Sequence, residues 1–255
     1  MEAKPIKVLL VEDNPEDVLL LERILQKSKG ACFELETAES LSATLARLEQ
    51  GNIDVILLDL SLHDSHGLQT FHDTQAKSPG IPIIVLSGLD DETVALNAVH
   101  AGAQDYLVKG RVDSQLITRA MIYAIERTQA KAALHKAEEK YRGIFENAVE
   151  GIFQSTPDGH YLSVNPALTR IYGYSSPAEL IDSMTDIGKS LYVDPNRRAE
   201  FIRLMQKDGV ITDFESQIYR KDRSVIWISE NARAVRDVHG KLLYYEGLVE
   251  DITKR

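Results

Sequence analysis

The 255-residue sequence has little of what staples, anchors or recruits polyanions. It has a single cysteine, Cys32, which excludes an intrachain disulfide and any zinc site built on cysteines, and fits a reducing compartment. Cys32 is expected to be a small buried hydrophobe. No stretch approaches the roughly 18 apolar residues that cross a bilayer. The opening MEAKPIKVLLVED lacks the zones of a secretory leader, so the expectation is a cytoplasmic protein without a membrane span. Basic charge is also short, with 29 Lys+Arg against 39 Asp+Glu. Residues 1–112 hold 18 of the acids and 9 of the bases, which leaves 21 against 20 for the remainder. Neither half has the basic face that phosphate backbones require, which argues against direct nucleic-acid binding. The acidic first half can instead surround a cation.

What is present divides in two. Hydrophobic residues make up 44% of the chain, enough for a core in each of two domains. In the first half, short apolar runs at 7–11, 33–38, 54–60, 81–87 and 105–109 alternate with amphipathic stretches such as PEDVLLLERILQ and ETVALNAVHAG. Nearly all-apolar strands separated by helices predict a doubly wound parallel sheet of five strands, with ligands bound at the strands' C-terminal ends. Residues 113 to 145 contain no proline and read as one long helix. Beyond it, GIFQST, YLSV, DFESQIYR, SVIWISENARAVRD and LLYYEGLVED predict a five-stranded antiparallel sheet with short helices, an α+β domain. The division expected is 1–124, a helical linker 125–140, and 141–255.

The chemistry collects at the strand ends of the first half. Glu12 and Asp13 follow the first strand, Asp59 ends the third, Ser87 the fourth and Lys109 the fifth. The parallel topology brings these ends together. Three carboxylates so close repel unless a cation sits among them, and hard oxygen donors suit Mg²⁺. Asp59 could then attack a phosphoryl group, with Lys109 and the cation neutralising its oxygens and Ser87 donating a hydrogen bond.

VLLVED (8–13), DVILLDLSL around Asp59, IIVLSG around Ser87 and DYLVKG around Lys109 together resemble the receiver domain of two-component response regulators. The resemblance implies a flavodoxin-like fold with Asp59 as phospho-acceptor. It implies Mg²⁺ held by Glu12, Asp13, Asp59 and the Ser61 carbonyl, and Tyr106 as the aromatic switch that follows Ser87. Core packing is the competing role for Tyr106. The sequence departs from the family where His63 and Gly110 replace the usual prolines, and both loops are expected to be looser for it. Leu89 replaces a residue that is commonly polar two positions after Ser87, and predicts slow dephosphorylation. His63, His66 and His72 with Asp64 and Asp73 fit no trusted metal-ligand spacing and read as surface residues.

EEKYRGIFENAVEGIFQSTPDGHYLSVNPALTRIYGYS, the strand carrying Trp227, and the closing GLVEDITKR resemble a PAS sensory domain. No histidine lies between Tyr161 and Val238, and no cysteine lies in this half, so neither the usual haem ligand nor a covalent flavin is expected. An apolar pocket for a small ligand stays open. Trp227, Phe153 and Tyr172 read as core. Asp222-Arg223 stands where Asp-Gly is common, which disfavours a type I′ turn.

Along the joining helix, Leu116, Ala120, Tyr123, Arg127, Ala130, Leu134, Ala137, Tyr141 and Ile144 alternate by four and three, the spacing of a coiled-coil seam. A homodimer is expected, against the alternative that Leu116 to Ile125 only packs the last receiver helix. His135 lacks the surroundings of a kinase histidine, and no ATP-binding or cyclase motif is visible. The combined reading is two-component signalling through protein contacts. A cognate histidine kinase or phosphotransfer protein would phosphorylate Asp59. The alternative is the N-terminal regulatory part of a larger hybrid sensor kinase or diguanylate cyclase.

Overall fold

A computed structural model describes residues 4–28, 32–88 and 92–254. Two compact units emerge, Met1–Lys136 and Ala137–Arg255. The first runs β1 (Ile6–Val11), α1 (Pro15–Gln26), β2 (Phe33–Ala38), α2 (Leu41–Leu48), β3 (Val55–Asp59), β4 (Ser61–Leu62), β5 (Ser65–His66), α3 (Leu68–Lys77), β6 (Ile83–Ser87), α4 (Glu92–His100) and β7 (Asp105–Val108). A single 3-10 turn, Lys109–Arg111, then leads into α5 (Ser114–Asn147). The main sheet is parallel in the order β2-β1-β3-β6-β7.

Strands β3 and β6 are buried at every residue, which explains their unbroken apolar runs. Successive side chains face opposite ways. Leu9, Ile56 and Leu58 therefore pack with Phe71, Ala95 and Ala98 on one face. Val8, Leu10 and Leu57 pack with Leu21 of α1 and with Ile117 and Met121 of α5 on the other. Each buried Val, Leu, Ile, Phe or Met side chain among these contributes about 1.5–3 kcal/mol relative to exposure.

The second unit has an antiparallel sheet in the order β10-β11-β12-β8-β9. Its strands are β8 (Gly151–Ser155), β9 (Tyr161–Val164), β10 (Val210–Tyr219), β11 (Val225–Arg236) and β12 (Leu242–Asp251). Helices α6 (Pro166–Tyr172), α7 (Pro177–Ser183), α8 (Ile187–Ser190) and α9 (Arg197–Asp208) lie between β9 and β10 in the chain. The core joins Phe153, Tyr172, Leu180, Phe201 and Ile228. Gly247 on β12 has to be glycine, because a Cβ there would lie 2.4 Å from the Asn231 carbonyl.

Several expectations need correction. Trp227 is 44% exposed, because the period-2 alternation of β11 turns Ile226 and Ile228 inward and Trp227 to the opposite face. Phe153 and Tyr172 are buried as expected. Cys32 is exposed, preceding β2 at the edge of its sheet. The β4–β5 hairpin and α8 are too short to leave a periodic signal.

The hairpin between β10 and β11 is not type I′, which needs positive φ at both central residues. Only Arg223 is left-handed there, at φ 68°, with its N–H bonded to the Arg220 carbonyl at 2.9 Å. A side chain with a Cβ is strained in that region. Arg223→Gly is therefore expected to stabilise the protein by about 0.5–1 kcal/mol, after allowing for glycine's greater freedom in the unfolded chain. A urea unfolding curve followed at Trp227 checks this, and a lower midpoint for the variant would contradict it.

Candidate functional site

The ends of β1, β3 and β6 and the turn after β7 converge as the topology requires. Lys109, opening the 3-10 turn, places its Nζ 2.7 Å from Asp59 Oδ2, 2.5 Å from Glu12 Oε2 and 2.9 Å from Asp17 Oδ2. Carboxylate oxygens of Glu12, Asp13 and Asp59 lie within 4.8 Å of one another. This all-oxygen set of hard donors fits a Mg²⁺ ion. Burial works against the Lys109 ammonium, but its bonds to Asp59, Glu12 and Asp17 outweigh that and hold its pKa above the ordinary lysine value. Burial pushes the Glu12 carboxyl above its usual range, and the neighbouring Asp59 adds to the rise against the opposing pull of Lys109.

Local structure fixes each group. Asn14 caps α1 by accepting from the Glu16 N–H at 3.0 Å, and Pro15 supplies the preset φ of a first helical position. The Asn14 N–H in turn donates to Glu12 Oε1 at 3.1 Å. The Ser61 N–H donates to Asp59 Oδ1 at 3.0 Å. Ser87 is buried at the end of β6, and its Oγ has no hydrogen-bond partner among the described residues. Tyr106 on β7 is partly buried against the cluster that contains Ala95 and Ala98 of α4.

Of the residues expected at the site, Glu12, Asp13, Asp59 and Lys109 come together, and two further residues join them. Asp17 had not been singled out, although a capped start at Asn14-Pro15 places it one turn into α1. His63 also reaches the site, its N–H donating to Asp13 Oδ2 at 2.8 Å. A proline has no N–H to give. This bond is therefore one that the usual proline could not make. The loop is also held by Asp64, whose oxygens accept from the Leu41 and Ser42 N–H groups at 2.9 and 3.1 Å. Gly110 lies within the 3-10 turn, and Leu89 lies outside the described residues.

The second unit has a polar interior of its own. Glu230 on β11 is buried and accepts a 2.9 Å hydrogen bond from the Tyr192 hydroxyl. Tyr161, Tyr172 and Arg198 are buried around it, and one guanidinium nitrogen of Arg198, Nη2, has no hydrogen-bond partner. Burial raises the Glu230 carboxyl to about 7, against the opposing effects of the Tyr192 hydroxyl and the Arg198 and Arg197 guanidinium groups.

Family comparison agrees with both folds. Residues 8–121 match the response regulator receiver domain and residues 149–254 match a PAS domain. Each unit thus carries the match to one of these families, and the pair fits two-component signalling. It is 23% identical to the sensor histidine kinase TmoS of Ectopseudomonas mendocina, over 98% of this chain and 28% of that protein. It is 34% identical to the swarming motility regulation protein RssB of Serratia marcescens, over 45% of this chain and 54% of that one. A solved receiver domain from Clostridium thermocellum aligns at 26% identity and a TM-score of 0.44, covering 49% of this chain and 98% of the other. The chain thus spans about half or less of the curated relatives named. No helix among the described residues is long and apolar enough to cross a membrane.

Because Glu230 is protonated more readily folded than unfolded, its contribution to stability is complete below about pH 4.5 and is lost as pH rises through about 7. The span corresponds to roughly 3 kcal/mol. Glu230→Gln keeps an acceptor for Tyr192 and should remove this dependence. Urea midpoints read at Trp227 at pH 5.5 and pH 8 should converge in the variant, and an unchanged difference would rule out Glu230 as its source.

Proposed function

We propose that the chain is a phospho-accepting signalling protein in which Asp59 takes a phosphoryl group from a histidine kinase or phosphotransfer protein. The observation that carries this reading is the Lys109 ammonium bonded to Asp59, with a buried Ser87 hydroxyl on the next strand that has no partner among the described residues. Glu12, Asp13, Asp59 and the Ser61 carbonyl would hold Mg²⁺, which when bound offsets negative charge on the transferring group. An Asp59 carboxylate oxygen forms the new bond to phosphorus as the donor's bond breaks, and the leaving group departs with that electron pair. Lys109 turns from Asp59 toward the phosphoryl oxygens. The Ser87 hydroxyl gains there the partner it lacks, and Tyr106 follows Ser87 inward.

The chain would act in the cytoplasm through protein contacts, without a kinase or cyclase reaction of its own and without haem or a covalent flavin in the PAS unit. Its residues 1–124 would form the receiver, 125–140 the helical linker and 141–255 the sensing and dimerising module. A second reading, the regulatory part of a larger sensor kinase, is favoured by one observation. Nearly the whole chain aligns within a kinase more than three times its length.

The homodimer rests on α5. Ile117, Met121 and Ala124 are buried in the receiver core, so this stretch does pack within the chain. Along the proposed seam, however, Tyr123, Leu134, Tyr141 and Ile144 are each about 60% exposed. Tyr141 also borders a groove of about 410 Å³ on the PAS sheet with Ile152, Val210 and Leu248. A parallel partner helix would cover these side chains.

Two outcomes are expected. With acetyl phosphate, Phos-tag electrophoresis should show a Mg²⁺-dependent shifted band for the wild type and none for Asp59→Asn. Equal labelling of both would sink the assignment. Light scattering at tens of micromolar should show a dimer, weakened by at least about tenfold in Leu134→Glu, since a buried unpaired charge costs more than 1.4 kcal/mol. A wild type that stays monomeric with or without phosphate would leave the seam as exposed surface only.

A further inference from the structure

We propose that Asp17 is the positioning residue for Lys109, holding its ammonium in place when a cation draws on the other carboxylates. This rests on the receiver reading above. An ammonium has three donors. Here two of them donate hydrogen bonds, to Asp59 at 2.7 Å and Asp17 at 2.9 Å, and Glu12 Oε2 is an ion-pair partner at 2.5 Å. The three partners are not equivalent. Glu12 and Asp59, with Asp13, form the group whose oxygens lie close enough to share one metal ion, whereas Asp17 stands outside that group. A divalent cation therefore competes with Lys109 for Glu12 and Asp59 and leaves Asp17 as its undivided partner. Once Asp59 carries a phosphoryl group, the donor it held passes to a phosphoryl oxygen, and Asp17 still holds the ammonium through another donor.

The placement is built in from α1. Asn14 and Pro15 set where the helix begins, and Asp17 follows in its first turn, partly buried, with the side chain 27% exposed. The first turn also favours acids because the helix N-terminus is partly positive. That general effect applies equally to Glu16, which lies in the same turn. Of these two, Asp17 makes the bond to Lys109, across 92 positions of sequence. Glu16→Gln is accordingly the control for charge at the helix start, and Asp17→Asn tests the contact.

The test uses the full chain and two readouts. The ¹⁵N-ζ ammonium signal of Lys109, assigned by its loss in Lys109→Arg, is measured without metal. A bonded ammonium exchanges slowly enough to be seen, and Asp17→Asn should broaden or shift that signal while Glu16→Gln leaves it in place. With saturating acetyl phosphate and Mg²⁺, Asp17→Asn should slow labelling of Asp59 by about tenfold, the scale on which a misplaced charge-stabilising group acts. Its Mg²⁺ midpoint should stay within about twofold of the wild type, since Asp17 lies outside the ion's ligand set. An unchanged signal and rate in Asp17→Asn would reduce Asp17 to a helix-start charge. A large shift in the Mg²⁺ midpoint would make it part of the metal site and overturn the proposal in that way. If the wild type itself takes no phosphate on Asp59, the receiver reading fails and the role of Asp17 with it. Labelled wild type with indifferent Asp17→Asn sinks the Asp17 proposal alone.

Discussion

The structure at the receiver's strand ends depends on keeping several carboxylates together without letting them push the strands apart. Glu12, Asp13, Asp17 and Asp59 are four acids, and the Lys109 ammonium is the base that forms ion pairs with three of them. Within a partly buried crevice their mutual repulsion is screened far less than in water. One ammonium cannot neutralise four carboxylates, so the crevice keeps a negative balance that attracts a divalent cation. The rise in the Glu12 pKa has the same origin, since burial and Asp59 both disfavour its charged form. The parallel order β2-β1-β3-β6-β7 is what imposes this meeting, because it puts the C-terminal ends of the strands on one edge.

Backbone N–H groups supply the rest of the compensation. The Asn14, Ser61 and His63 amides donate to Glu12, Asp59 and Asp13 respectively. Charge-assisted bonds of this kind are stronger than those between neutral groups, and they aim each carboxylate. The His63 position shows how a local substitution is absorbed. Giving up a proline gives up a fixed φ, but it provides the N–H that Asp13 receives. Asp64, one residue on, caps α2 and so ties the same loop to a neighbouring helix. The hairpin is short, yet it is held at both sides.

Most of the fold and most of the receiver site were legible in the sequence because both follow from strands. Apolar runs mark the buried strands, their order sets the topology, and the residues just past their ends define the crevice. What escaped follows a different logic. Asp17 lies on a helix and meets Lys109 from 92 positions away, and His63 meets Asp13 from 50, so strand-end reasoning does not select either. Trp227 was misread because residue type was weighed above strand parity. Parity was informative: Ile226, Ile228, Glu230 and Ala232 all fall on the inward face of β11. That pattern also marks Glu230 as a carboxylate directed into a core. The alternation was visible, and the residue's polarity masked it.

The two units bury acids beside different partners. In the receiver, the Lys109 ammonium pairs with the carboxylates directly and opposes the effect of burial on Glu12. In the PAS unit, the bonded partner of Glu230 is the neutral Tyr192 hydroxyl, while Arg198 acts on it through its charge. Desolvation then dominates, and the carboxyl sits near neutrality in its titration. The difference arises from architecture. Strand ends open to a crevice, where long side chains and ions can approach, whereas the middle of β11 faces a core filled by aromatic rings from β9, α6 and α9. A carboxylate at a strand end can be served by mobile charge. One in mid-strand must be served by neighbours already fixed in place, and here those neighbours are mainly tyrosines.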